Sequence, residues 1–320
     1  MNDARRLITF AACLFAAASL QAQEPFPNRP ITLVVPFSPG STTDIAARAV
    51  AQKLTQQMGS PVLVENRAGA NGAIGNTYVA RSKPDGYTLV IASAATHTVG
   101  AALAKGLPYD PVKDFAPVSN FGIIAPMLVV NADSTANTVD DLVKQAKAAP
   151  GKLNYGVSSQ TSRLLGEIFK QATGTQLADI SYKGPAEVAL DLMTRRIDIS
   201  FEAPGGVLPH IRSGKLKALA VMGARRFGPL PQVPTVAEAG YKDLELEGFV
   251  GVLAPAGTPP AVLEKLSAEI GRAIASPEVA QQLAGMGMDP QASTPAEFTS
   301  KIARDVARFS AVVKAAGLDK

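Results

Sequence analysis

Apolar, β-branched runs alternate with alanine-rich runs of helical period along most of the chain. The strand-like runs are 31–35, 62–66, 87–92, 127–130, 180–182, 197–201, 216–221 and 248–254. Helical periodicity fills 45–58, 71–82, 139–149, 163–173 and 185–194, and two or three further helices follow the last strand. Pro185, Pro259, Pro277 and Pro295 stand where helices start, a position that tolerates a missing N–H. Residues 115–126 read as a proline-containing approach to the strand at 127–130. Such alternation predicts α/β lobes with mostly parallel sheets and helices on both faces. A mature chain of about 300 residues exceeds one compact core and fits two lobes. There is no tandem repeat and no low-complexity segment.

Two strand-to-helix turns stand out. The run Ile31-Thr32-Leu33-Val34-Val35 ends in Pro36-Phe37-Ser38-Pro39-Gly40-Ser41-Thr42-Thr43-Asp44 before its helix. Later, Leu153-Asn154-Tyr155-Gly156-Val157 leads through Ser158-Ser159-Gln160-Thr161-Ser162 into a helix from Arg163. A helix start offers unpaired N–H groups, and the hydroxyls add donors, so each turn is a seat for an anion. In open α/β sheets, ligands sit beyond the carboxyl ends of strands, where both turns lie.

Composition narrows the partners. Arg5 and Arg6 precede an uncharged apolar run from Leu7 to Leu20, shorter than the roughly 20 residues that a spanning helix needs. Residues 1–22 therefore read as a cleaved export signal, with Ala22 at the cleavage point and a bulky Leu20 at minus three. Cys13 is the only cysteine and lies inside that run. A lipid anchor there is disfavoured because the apolar run continues through Leu14 and Phe15. The leader carries Arg5 and Arg6 against Asp3, so its removal takes the formal net charge from +4 to +3. That mild charge, with no Lys/Arg run longer than two, gives nucleic-acid binding little support. Trp is absent, which disfavours aromatic platforms for sugars. His97 and His210 are the only histidines and have no metal-ligand spacing. No G-x-S-x-G elbow, P-loop or H-E-x-x-H occurs, and Gly69, Gly72 and Gly75 lack the dinucleotide spacing.

An ordered series of short blocks carries a resemblance. They are Pro30-Ile31-Thr32-Leu33-Val34-Val35-Pro36-Phe37-Ser38-Pro39-Gly40 with Thr43-Asp44, Val64-Glu65-Asn66-Arg67-Ala68-Gly69-Ala70-Asn71-Gly72, and Lys83-Pro84-Asp85-Gly86-Tyr87-Thr88-Leu89. Then come Leu153-Asn154-Tyr155-Gly156, Tyr182-Lys183-Gly184, and Gly214-Lys215-Leu216-Lys217-Ala218-Leu219-Ala220. Val233-Pro234-Thr235-Val236-Ala237-Glu238-Ala239-Gly240, Ala254-Pro255-Ala256-Gly257-Thr258-Pro259 and Ser293-Thr294-Pro295-Ala296-Glu297-Phe298 close the series. Each block is weak alone; in this order the chain resembles the Bug (Bordetella uptake gene) family of periplasmic solute receptors. That family also supplies the extracytoplasmic receptors of tripartite tricarboxylate transporters.

The resemblance implies a type II periplasmic-binding-protein fold, an α/β architecture of two α/β domains joined by two crossing strands with the ligand cleft between them. It implies domain 1 over 23–123 and 249–320 and domain 2 over 124–248. The crossings fall at 122–125 and 247–250. It implies a periplasmic receptor that captures a small carboxylate and delivers it to membrane transporter subunits, as a monomer without a cofactor. A co-receptor that presents ligand to a sensor kinase is the alternative, and a secreted hydrolase a further one.

The family pattern places Phe37, Ser38, Gly40, Ser41, Thr42 and Thr43 in one half of a carboxylate pincer. Ser41 or Thr43 would also cap the helix, and Asp44 caps backbone rather than touching an anion. Ser41 stands where the family usually has a second glycine. The other half maps to Ser158, Ser159, Gln160, Thr161 and Arg163, in a loop about two residues shorter than usual. Arg163 replaces the usual histidine, either to pair with a carboxylate or to bridge to Glu167 at i+4. Ala94, Thr96 and His97 map to the cleft floor, and Tyr182 to its wall. Glu202 is either a cleft carboxylate favouring a ligand with an ammonium or hydroxyl group, or a helix-start acid near Pro204.

Overall fold

The run 31–35 forms a strand because its alternate residues are apolar and both faces are covered. The computed structural model describes residues 26–104, 106–315 and 317, so the expected export signal and Cys13 lie outside the described residues. The first part of the chain contains β1 (Ile31–Val35), α1 (Thr42–Met58), β2 (Val62–Asn66), α2 (Ala73–Ala80), β3 (Thr88–Ser93), α3 (Ala94–His97), α4 (Val99–Leu103) and β4 (Phe115–Ile124). The middle contains β5 (Met127–Asn131), α5 (Val139–Ala148), β6 (Asn154–Val157), α6 (Gln160–Thr173), β7 (Ala178–Ser181), α7 (Pro185–Met193), β8 (Ile199–Glu202), α8 (Pro204–Arg212) and β9 (Leu216–Val221). The last part contains β10 (Gly248–Pro255), α9 (Pro260–Ala275), α10 (Pro277–Gly285), β11 (Asp289–Pro290) and α11 (Pro295–Ala315).

These strands make two sheets, ordered β11-β4-β10-β3-β1-β2 and β7-β6-β8-β5-β9. Both are mixed rather than mostly parallel, which corrects the expectation from βα alternation. β1 runs parallel to β2 and β3, but β10 is antiparallel to both β3 and β4. β6 runs parallel to β7 and β8, while β5 is antiparallel to β8 and β9. The antiparallel strands arise where the chain crosses between sheets and returns. The region 115–126, expected as an approach, is mostly the ten-residue β4. Pro117 fits there because it faces Leu253 at a register shift, where a ladder donor can be spared.

Apolar side chains cover both faces of each sheet. Val50, Leu54, Leu266 and Ile270 of α1 and α9 bury one face of the first sheet, and Phe298 and Ile302 of α11 join the cluster on the other. Leu142, Leu164, Leu165 and Phe169 cover one face of the second sheet, and Val188, Leu192 and Val207 join the cluster on the other. Further along α11, Phe309 and Val313 join the second sheet's core, so one helix is packed into both lobes.

Register fixes which ends of the two sheets meet. In the first sheet, Thr32 pairs with Thr88, Val250 with Ser93 and Gly248 with Ile124. The carboxyl ends of β1, β3 and β4 and the start of β10 thus share one edge. In the second, Gly156 pairs with Ser200, and Met127 pairs with both Glu202 and Val221. The carboxyl ends of β6, β8 and β9 and the start of β5 likewise share one edge. The chain passes from Ile124 to Met127 and returns from Val221 to Gly248, so those two edges are the ones joined. Both hydroxyl-rich turns leave from them.

Candidate functional site

The first turn is built around one buried acid. Ser41 is the N-cap of α1, and its hydroxyl accepts from the Asp44 amide at 3.2 Å. Asp44 lies in the first helical turn, where its carboxylate accepts from the Gly40 amide at 2.9 Å. It also accepts from Asn66 Nδ2 at 2.8 Å and Arg48 Nε at 3.1 Å. Burial alone would raise the Asp44 pKa, but these donors outweigh it and hold the carboxyl below its ordinary value. Asn66 Nδ2 also reaches the Phe37 carbonyl at 3.1 Å, tying the turn to β2. Gly40 has φ +80, a left-handed turn that other side chains adopt rarely. The Ser41 amide is used by Ser38 O and the Ile45 amide by Ser41 O. The amides of Thr42 and Thr43 have no protein acceptor among the described residues, and Ser38 and Thr42 are exposed.

The second turn repeats the plan with different residues. Ser159 is the N-cap of α6 and accepts from the Ser162 amide at 3.2 Å. Ser162 Oγ in return accepts from the Ser158 and Ser159 amides, both at 3.0 Å. This reciprocal capping box satisfies two helix-end donors at once. The Arg163 amide is used by Ser159 O. The amides of Gln160 and Thr161 have no protein acceptor among the described residues. Each helix therefore presents two free N–H groups with its positive dipole end behind them, the arrangement that binds a carboxylate.

A buried acid stands beside the second turn. Glu202 ends β8 and is 4 % exposed. Its Oε2 accepts from Ser158 Oγ at 2.9 Å and its Oε1 from Ser200 Oγ at 3.1 Å. Burial pushes its pKa above the ordinary value, and the two hydroxyls oppose that only in part. Ser162 and Ser200 did not stand out in the sequence as site residues. The Ser159-to-Ser162 spacing was the available signal for the first, whereas Ser200 was hidden in an apolar strand.

Three other expected site residues are committed elsewhere. Arg163 donates to Asp179 and to Ser181 Oγ (2.9 Å for the latter), both on β7. The i+4 partner Glu167 pairs instead with Lys170 at 2.7 Å and accepts from Tyr155. Thr96 is buried in α3, where its hydroxyl accepts from the Ser93 amide and lies 2.8 Å from His97 Nδ1. His97 is fully buried, with its ring centroid 4.9 Å from Phe115 and 5.7 Å from Tyr109. It belongs to the packing under β3 and touches no open surface, which corrects its placement on the cleft floor. Ala94, also buried, starts α3. Tyr182 is half-buried, with its hydroxyl donating to Asp191 at 2.9 Å. Phe37 is half-buried beside the core of the first sheet. His210 lies on α8, and no group of three or more His, Cys, Asp or Glu among the described residues could hold a metal. None of the described helices is long and apolar enough to cross a membrane.

Burial pushes the His97 pKa down to about 3. The unfolded chain takes up this proton near pH 6.5, the folded protein only near pH 3. The His97 contribution to stability is therefore fully present above pH 6.5 and falls by about 1.4 kcal/mol per unit as pH drops. Urea melts at pH 7 and pH 5 should show about 2 kcal/mol less pH dependence for His97→Asn than for the wild type. Equal pH dependence in the two proteins rules the histidine out as the cause.

Comparison with known proteins shows the family and the fold. The family model described as the tripartite tricarboxylate transporter family receptor matches residues 46–318. The chain is 37 % identical to Protein BugT of Bordetella pertussis over 318 residues, covering 98 % of each. Among solved structures, R. palustris Rpa4515 with adipate is 33 % identical, with a TM-score of 0.74 over 91 % of this chain and 98 % of that one. MatC from Rhodopseudomonas palustris with bound malate is 27 % identical, with a TM-score of 0.70 over 90 % of this chain and 100 % of that one.

Proposed function

Because this chain belongs to the tripartite tricarboxylate transporter receptor family, a family of periplasmic solute-binding proteins, we propose that it captures a small carboxylate between its lobes and delivers it to a membrane transporter of the tripartite tricarboxylate type. The lobes of this reading are 23–123 with 249–320, and 124–248. The observation that carries it is the pair of serine-capped helix starts on the two joined sheet edges, each with two unpartnered amides. Ser38, Thr42 and Thr43 would hold one end of the solute, and Ser158, Gln160 and Thr161 the other. Phe37 and Tyr182 would wall the space between. The adipate and malate of the solved relatives are both dicarboxylates, a class that two such seats would suit. Presentation of the bound solute to a sensor kinase would use the same site, and no observation favours it over transport.

Thermal unfolding of protein stripped of bound solute, measured against a panel of mono-, di- and tricarboxylates, tests this reading. A solute at 100 times its Kd adds about 2.7 kcal/mol of stability, or a rise of roughly 5–10 °C in Tm. A response to sugars or metals with none to any carboxylate defeats the two-seat reading.

A further inference from the structure

The carboxylate reading leaves one buried acid unexplained. Glu202 sits at the edge where the sheets join, paired in register with Met127 at the start of β5. It is one hydrogen bond from Ser158, the residue that opens the second seat. No cation lies within ion-pair distance of it among the described residues, so its charge is met by two serine hydroxyls alone. A carboxylate offers about four lone-pair sites, and two of these remain for a further donor.

A serine hydroxyl has a single proton. In this geometry Ser158 gives that proton to Glu202 Oε2 at 2.9 Å. Its remaining lone pairs are acceptors, and with Glu202 behind them they repel a bare carboxylate oxygen and attract an N–H or O–H. The amides of Gln160 and Thr161, one turn of chain away, do the opposite. The second seat therefore joins two donors to a local acceptor pair.

We propose that Glu202, acting with Ser158, is the specificity-determining residue of the second seat, and that the solute is an acid with a hydroxyl or ammonium donor next to the carboxylate held there. This rests on the carboxylate reading and narrows its substrate class to 2-hydroxy or 2-amino acids. An analogue without the donor leaves a buried acceptor pair desolvated and unmet, the mismatch that gives strong discrimination. Ser200 keeps the second oxygen of Glu202 in place from the strand below.

The test uses calorimetric titration of the stripped full-length protein. The panel holds diacids of four to six carbons in three forms each: unsubstituted, 2-hydroxy and 2-amino. Benzoate and nicotinate complete it as acids with no such donor. At the chain length that binds, the donor-bearing acid should bind at least about tenfold tighter than its unsubstituted parent. In Glu202→Gln, whose amide can itself donate to Ser158, that ratio should shrink to about twofold or less. Ser158→Ala should shrink it in the same direction, which keeps the test open if the glutamine variant folds poorly. Equal affinity for parent and substituted acids, tight binding of benzoate or nicotinate, or an unchanged ratio in both variants overturns the role of Glu202 and leaves the carboxylate reading standing. Binding of no acid at all overturns the carboxylate reading, and this inference with it.

Discussion

Asp44→Ala is expected to cost about 3 kcal/mol of folding stability and to weaken carboxylate binding at least about tenfold. The carboxylate is buried in the first turn and is the common acceptor for the Gly40 amide, Asn66 Nδ2 and Arg48 Nε. Removal takes the acceptor from the Gly40 amide and one of two acceptors from the Asn66 nitrogen, each in a part-buried bond to a charged group worth about 1.5–3 kcal/mol. The Arg48 partner contributes less, because its side chain is about half exposed and meets solvent when released. Arg48→Ala should accordingly cost under about 1 kcal/mol. The binding loss has a separate origin. Gly40 is held in its left-handed turn by the Asp44 bond, and that turn aims the Thr42 and Thr43 amides outward.

The same substitution has a pH signature. The folded-state pKa of Asp44 is depressed, so its stabilisation is present above the unfolded value near 3.9 and is lost as pH falls through the folded value. The gap between wild type and Asp44→Ala should be full at pH 7 and shrink below about pH 4. Urea melts at pH 7 and pH 3.5, with titration of the bound acid at pH 7, measure both effects. A stability loss under about 0.5 kcal/mol would mean that the turn is held by its backbone alone.

What could be read from the chain was what is local in it. The turn at Ser38 to Asp44 is bounded by a β-branched run and a helical run, and its cap is three residues from its partner, so its form follows from neighbours in sequence. β4 escaped notice because Pro117, Ser119 and Asn120 interrupt its apolar pattern. They fit only because β10 supplies a register shift at the proline and the loop at 291–293 supplies partners for the polar pair. Arg163 could not be placed from helical spacing. Its captor Asp179 lies on a strand that comes alongside only when β6 and β7 pair, while Lys170 had already taken Glu167. His97 was misplaced for the same kind of reason. Tyr109 and Phe115, which enclose its ring, arrive from beyond α4. Glu202 was legible as a polar residue ending a strand, but the serine that meets it comes from 44 residues earlier.

Gly166→Ala is expected to destabilise the protein by about 3 kcal/mol, against the gain that alanine ordinarily brings inside a helix. A Cβ at Gly166 would lie 2.1 Å from Tyr155 Cε2, 2.3 Å from Cζ and 2.6 Å from the hydroxyl. The ring has nowhere to go. It is fully buried, packs edge-on against Phe201 and donates to Glu167 at 3.2 Å. The helix must therefore lift away from β6. Its N-terminus is the proposed second seat, so the lift also displaces Ser159, Gln160 and Thr161 relative to Glu202. Binding should fall by at least about tenfold while the first turn is untouched. Gly174→Ala serves as the contrast: it ends the same helix at φ +65 with open space around it, so it should cost only about 1 kcal/mol and leave affinity unchanged. In the double variant with Tyr155→Leu, the loss should be smaller than the sum of the single losses by about 1 kcal/mol or more. Additive losses would show that the glycine is needed for something other than room for the ring. If the clash is the cause, the distance between α6 and β6 sets the aim of the proposed second seat, and one methyl group on the sheet-facing side of that helix is enough to move it.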